Sequence, residues 1–213
     1  MSLLPFSTDA FFAVFEQYNL AIWPAQVLAY ILGLAVVVLT LKPVRHGDRA
    51  IAAILAVAWI GMGAGYHMSY FAAINPVALV FGAAFVVQGV LFAWTGVVRD
   101  RLRFRFTPDI AGWTGLGLMA FAMAVYPLLG LAVGHAWPAA PMFGVAPCPT
   151  TIFTIGVLVL GRAGPALMAI PLIWAVIGTT GAFLLQVPQD ISLAIAAAIG
   201  LALTMLRRRR VVS

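Results

Sequence analysis

The chain has 213 residues, of which 64% are hydrophobic and 8% charged, against about 45–50% and 25% in an ordinary globular protein. No soluble fold of this size covers such a chain with a wettable surface, so the composition specifies a polytopic membrane protein. The net charge of +6 does not mark a nucleic-acid binder, because the basic residues sit at the ends of apolar spans. The single cysteine forms no internal disulfide.

Reading from the start, the first ten residues lack a basic region and a long apolar run, so no cleavable signal peptide is expected. Between Asp9 and Asn19, a helix would align Phe11, Phe12, Phe15 and Tyr18 on one stripe, with Ser7 or Thr8 as its cap. The segment 1–19 reads as interfacial, or as an extension of the first span. A membrane-spanning helix needs roughly 20 mostly apolar residues. Seven segments qualify as candidates: 20–41, 50–71, 76–98, 110–133, 149–161, 166–186 and 190–206. Their junctions are short, which leaves one transmembrane domain over 1–213. It comprises the N-terminal segment, an all-α seven-helix bundle over 20–206 and a basic tail, 207–213.

The charge pattern sets the orientation. All twelve Lys and Arg residues follow an odd-numbered span: Lys42, Arg45 and Arg49; Arg99, Arg101, Arg103 and Arg105; Arg162; and Arg207 to Arg210. The opposite side carries Asp9, Glu16 and Asp190. By the positive-inside rule the N-terminus is outside and the C-terminus cytoplasmic.

Polar residues within the spans gather in the outer half. They are Glu16 and Gln26 near the first span; Tyr66, His67 and Asn75 near the second; and Gln88 in the third. Tyr126, His135, Cys148, Thr150, Thr151 and Asp190 follow. The inner half is Leu, Ala, Val and Ile, with Trp59, Trp94 and Trp174 as packing bulk. Polar groups are costly in hydrocarbon unless paired or lining a wet cavity, so their segregation predicts an outward-opening pocket. Gly61 and Gly65, on either side of the turn before His67, form a spacing that admits a close neighbouring helix.

The stretch GHAWPAAPMFGVAPCPTTIFT is the most informative. Pro138, Pro141, Pro147 and Pro149 exclude a continuous helix. Pro149 suits a first helical position, with Cys148 as cap. From Pro149 to Gly161 there are 13 residues, about 20 Å of helix against a core of about 30 Å. A short fifth helix therefore starts inside the outer leaflet, after a re-entrant loop. The start of that helix would draw the Cys148 thiol toward its thiolate and attract anions.

Retinal is excluded, since the sole lysine, Lys42, lies in a loop. Paired intramembrane ligands for haem are missing. The motifs WPAQ (Trp23 to Gln26), YH (Tyr66 and His67), INP (Ile74 to Pro76), YPLLG (Tyr126 to Gly130), GH (Gly134 and His135) and PCPTTIFT (Pro147 to Thr154) together resemble a group of bacterial seven-span membrane proteins of unknown function, sometimes labelled permeases. The FG and QG pairs (Phe81 and Gly82, Gln88 and Gly89) belong to the same resemblance. It implies a multi-pass protein of the bacterial inner membrane and supplies no catalytic residues. Three functions are then open. The pocket binds or transports a small ligand or metal ion from the periplasmic side. Alternatively, His67, His135 and Cys148 hold zinc or another transition metal in a membrane enzyme. In the third, the polar groups only pack an accessory subunit. The bilayer is the expected partner, no nucleic acid is expected, and oligomeric state is open.

Overall fold

The computed structural model describes residues 4–161, 164 and 166–212, with side chains to residue 206. Arg162 and the side chains of Arg207 to Arg210 lie outside the described residues. Helix α1 (Thr8–Ala21) starts on Ser7, whose Oγ accepts from the Ala10 amide at 3.2 Å. Pro24 then precedes α2 (Ala25–Leu41), and the two helices meet at 85°. The first span thus begins at Ala25 rather than 20, because a proline cannot continue α1 through its missing N–H. The chain continues with α3 (Gly47–Ala73), α4 (Ala78–Val98) and α5 (Ile110–Ala132). It ends with α6 (Pro147–Leu160), α7 (Ala166–Leu184) and α8 (Ile191–Val212), the last preceded by a single 3₁₀ turn, Pro188–Asp190.

Every expected span is helical, but not every helix is long enough to cross. Five are long and apolar enough, or six if the bent α1–α2 pair counts as one. With 14 residues, α6 extends about 21 Å at ~1.5 Å per residue. It starts at Pro147, two residues earlier than expected. Ala146, not Cys148, is its cap, and both Pro147 and Pro149 fall in the first turn, where their missing N–H groups cost nothing. The preceding loop is built of turns, with Gly134 at φ +89° and Gly144 at φ +80°.

This short helix is the centre of the bundle. Its run of Thr, Ile, Phe, Val and Leu is apolar on every face, and all its residues except Cys148 are buried, against α5, α7 and α8. On the far side α3 packs on α4, and α4 reaches α7. Among apolar neighbours, close packing rather than water exclusion holds helices together, so small residues mark the crossings. A Cβ on Gly156 would stand 2.6 Å from the Gly115 carbonyl oxygen, and one on Gly63 2.7 Å from that of Gly82. The expected pair, Gly61 and Gly65, plays no such part. Gly61 has nothing within 4 Å, and Gly65 faces the Tyr18 hydroxyl.

The basic loops meet at one end. There the segment after α4 runs extended, with Arg101, Arg103 and Arg105 exposed and Leu102 and Phe104 buried. The Phe104 amide donates to Asp48 Oδ1 at 2.8 Å and the Phe106 amide to the Thr40 carbonyl at 3.0 Å. Phe104 also pairs with Gly161. The strap thereby ties the ends of α2, α3, α4 and α6 together.

Candidate functional site

The opposite half contains most of the buried polar residues. Two turns of its backbone are widened: α3 is a π-helix over Met62–Tyr70, and α5 over Phe121–Val125. Such segments shift the phase of the residues that follow and recur at functional sites. In α3 the Ser69 hydroxyl donates to the Ala64 carbonyl five residues back, at 2.8 Å. The first π segment carries Tyr66 and His67; the second delivers Tyr126.

Tyr126 donates its hydroxyl proton to Asp190 Oδ1 at 2.5 Å, and Asp190 is 5% exposed. Cys148 lies against both Asp190 and the Trp174 indole. Gly178, four residues after Trp174, leaves the space: a Cβ there would be 3.5 Å from the Cys148 sulfur and 3.7 Å from Trp174 Nε1. The Trp174 ring in turn stands 5.0 Å from His67, centroid to centroid. Tyr66 packs edge-on against His67, with ring centroids 5.1 Å apart. Five elements thus converge on one cluster: Tyr66 and His67 from α3, Tyr126 from α5, Cys148 from α6, Trp174 from α7 and Asp190 before α8.

His67 is the anomaly within it. The ring is fully buried, boxed by Phe81, Phe85 and Trp174, and neither nitrogen has a hydrogen-bond partner among the described residues. The carbonyl bond that would make it an ordinary structural histidine is missing. Thr151, one turn along α6 from Cys148, is likewise buried with an unpartnered hydroxyl. Its neighbours behave differently. Thr150 donates to the Ala146 carbonyl and accepts from the Gly144 amide, and Thr154 donates to the Thr150 carbonyl and accepts from Trp59 Nε1. An unmade hydrogen bond on a buried group costs about 1–3 kcal/mol; among the described residues, buried Gln26, Gln88 and Gln189 each leave a side-chain oxygen unpartnered as well.

Other expected pocket residues serve the framework. Gln88 donates to the Leu167 carbonyl at 3.0 Å. That carbonyl lies four residues before Pro171, which has no N–H to give it. Gln26 donates to Asn19, and Asn19 donates to the carbonyls of Pro138 and Ala140 at 2.7 and 2.8 Å, clamping the Pro-rich loop. Asn75 Oδ1 accepts from the Val77 amide in the turn between α3 and α4. Glu16 is exposed on α1.

His135 is set apart. Its Nδ1 pairs with Gln189 Nε2 at 3.2 Å and its ring lies 4.2 Å from that of Phe12, at the end of the bundle away from the basic loops. Partial burial holds its pKa below the ordinary value. The expected metal triad of His67, His135 and Cys148 is therefore not assembled: His67 and Cys148 flank Trp174, while His135 sits beyond the Pro188–Asp190 turn. Among the described residues no three His, Cys, Asp or Glu side chains stand where they could hold a metal ion.

Trp174 was the residue hidden from sequence reasoning, which placed it in the featureless half as bulk. Its one signal is the Trp-x-x-x-Gly spacing to Gly178, which frees an indole face for a neighbour. An apolar crevice of about 320 Å³ opens between α2 and α3, with Tyr18 and Thr150 its main polar residues. It stands apart from the cluster, on the face of α6 opposite Cys148.

No curated protein and no solved structure matches the chain. Residues 8–212 do match a family profile, spanning α1 and everything through α8, and on that match the chain belongs to the family of unknown function DUF6064.

Proposed function

We propose that this is a seven-span protein of the bacterial inner membrane, N-terminus outside, that binds a small polar ligand from the periplasmic side at the cluster around His67, Cys148 and Asp190 and carries it. The observation that carries the reading is His67: a fully buried imidazole whose two nitrogens have no partner among the described residues; on the central helix, Thr151 is buried and unpartnered as well. A site with such atoms gains free energy from any group that pairs them. The cluster is reached from five elements, which suits a site that opens by movement between helices. The short α6, whose first turn is largely buried within the bundle, supports the transport reading.

The test is native mass spectrometry of the protein extracted in lipid particles. Wild type should retain a small-molecule adduct that the His67→Phe/Thr151→Val double variant loses while remaining folded. Identical spectra for the two proteins would remove the ligand reading.

The Tyr126–Asp190 hydrogen bond, with Cys148 packed near it, favours a second reading, an accessory subunit with a polar packing network. Under it, the double variant would be indistinguishable from wild type in every assay except stability. A metal-dependent enzyme is not favoured, because the ligand set is not brought together.

A further inference from the structure

We infer that the extended strap at the basic end is a phosphate-binding ladder for the headgroups of anionic phospholipids. Three observations point there. First, the strap is rigidly pre-set. Leu102 and Phe104 anchor it in the core, and its amides are tied to Asp48 and Thr40. With side chains alternating across an extended backbone, Arg101, Arg103 and Arg105 project from one edge about 7 Å apart.

Second, the level of the strap matches a membrane–water boundary. Trp94 and Trp113 are 50% and 61% exposed at the adjoining ends of α4 and α5. Exposed tryptophans gather at headgroup depth. Arg99 lies over the Trp94 ring, 4.8 Å from its centroid, and Phe106 packs edge-on against Trp113. The strap is thus fastened to both tryptophans.

Third, among the described residues the outer rungs of the ladder, Arg101 and Arg105, enter no ion pair, whereas Arg103 is already held by Asp48 and Asp100. Asp48 and Asp100 are engaged by Arg103 and Arg49. Among the described residues no carboxylate lies within ion-pair distance of Lys42, Arg45, Arg99, Arg101 or Arg105. The cations of the ladder itself are all arginine, whose planar fork matches a phosphate oxygen pair where lysine offers a single point charge. A folded-state lipid site of this kind is separate from the orientation rule, which acts while the chain inserts. It is also independent of the polar cluster at the other end.

The experiment compares the purified full chain in nanodiscs of phosphatidylcholine alone and of phosphatidylcholine mixed with phosphatidylglycerol, reading the thermal midpoint and the phospholipid retained in native mass spectra. Wild type should be stabilised by phosphatidylglycerol, and the gain should vanish near 1 M salt, where the screening length falls to ~3 Å. Arg101→Gln/Arg105→Gln, which touches no ion pair, should lower phosphatidylglycerol affinity roughly tenfold or more. Lys42→Gln/Arg45→Gln removes the same charge off the ladder and should keep most of the gain. Inorganic phosphate at matched ionic strength should not reproduce it. Equal losses in the two double variants, an undiminished gain in the ladder variant, or stabilisation by free phosphate would each overturn the assignment. Should the glutamine pair fail to fold, Arg101→Lys/Arg105→Lys replaces it: a clear loss of retained phosphatidylglycerol supports the ladder, and full retention overturns it.

Discussion

At the basic end, Arg103 lies between Asp48 and Asp100 with its side chain 48% exposed. At the other, Asp190 is 5% exposed and meets Tyr126 and Cys148 inside the bundle. Both ends are polar, yet only one keeps its polar groups in contact with solvent. Where water is near, each charge is replaceable; where it is excluded, every donor and acceptor has a fixed consequence. The contrast separates charges that stay exposed from polar groups that are buried against one another.

The largest effect should come from the close approach that supports the buried half. Gly156→Leu would drive a side chain into the α5 backbone at Gly115 and is expected to cost about 3 kcal/mol or more, seen as loss of folded protein in a thermal melt. Normal stability would mean that α5 and α6 do not cross there. Next is Gln88→Leu, which leaves the Leu167 carbonyl opposite Pro171 without a donor. It should destabilise by roughly 1–3 kcal/mol, and Pro171→Ala in the same chain should restore most of the loss, since the helix then supplies the missing N–H. At the basic end, Arg49→Gln should cost less than about 1 kcal/mol, because its partner Asp100 lies 3.5 Å away and both are about 40% exposed. A loss comparable with Gln88→Leu would erase the distinction between the two ends.

Much of this architecture was legible in the chain. Helical segments, the Pro-rich break, the shortness of the helix that follows it and the meeting of the basic loops follow from composition, proline geometry and charge placement; the central position of that helix does not. What was not legible is which polar residues face one another. Gln88 and Asp190 look alike as polar residues in apolar surroundings, but one answers a proline on another helix and the other joins a tyrosine and a thiol. That difference depends on helix neighbours and on the π segments of α3 and α5, which rotate Tyr66, His67 and Tyr126 away from a regular 3.6-residue phase. Gly61 and Gly65 misled for the same reason: Gly63 faces α4 instead. Depth alone placed His135 with His67 and Cys148, and depth does not fix lateral position.

The smallest expected effect concerns His135, which sits at the rim between the two regimes. Its pKa is lowered by burial, so the folded chain releases its proton more readily than the unfolded chain. Stability is then full above the ordinary histidine value of about 6.5 and declines as pH falls from there toward the folded value. The decline should be slight, given the exposure of the ring, and His135→Gln should flatten it in pH-dependent melts.

The central claim is that the buried polar cluster opens toward the side bearing the His135 loop. Cys148 is the sole cysteine of the chain and the one residue of α6 not fully buried, so the unaltered protein reports on its own site. The decisive measurement is the rate at which a charged, membrane-impermeant methanethiosulfonate reagent modifies Cys148 when added to either side of sealed vesicles. Modification of the folded protein from the His135 side, and not from the side of Arg101 and Arg105, is the predicted result. Protection from both sides until the chain is unfolded in detergent, or modification from the arginine side alone, would contradict the account.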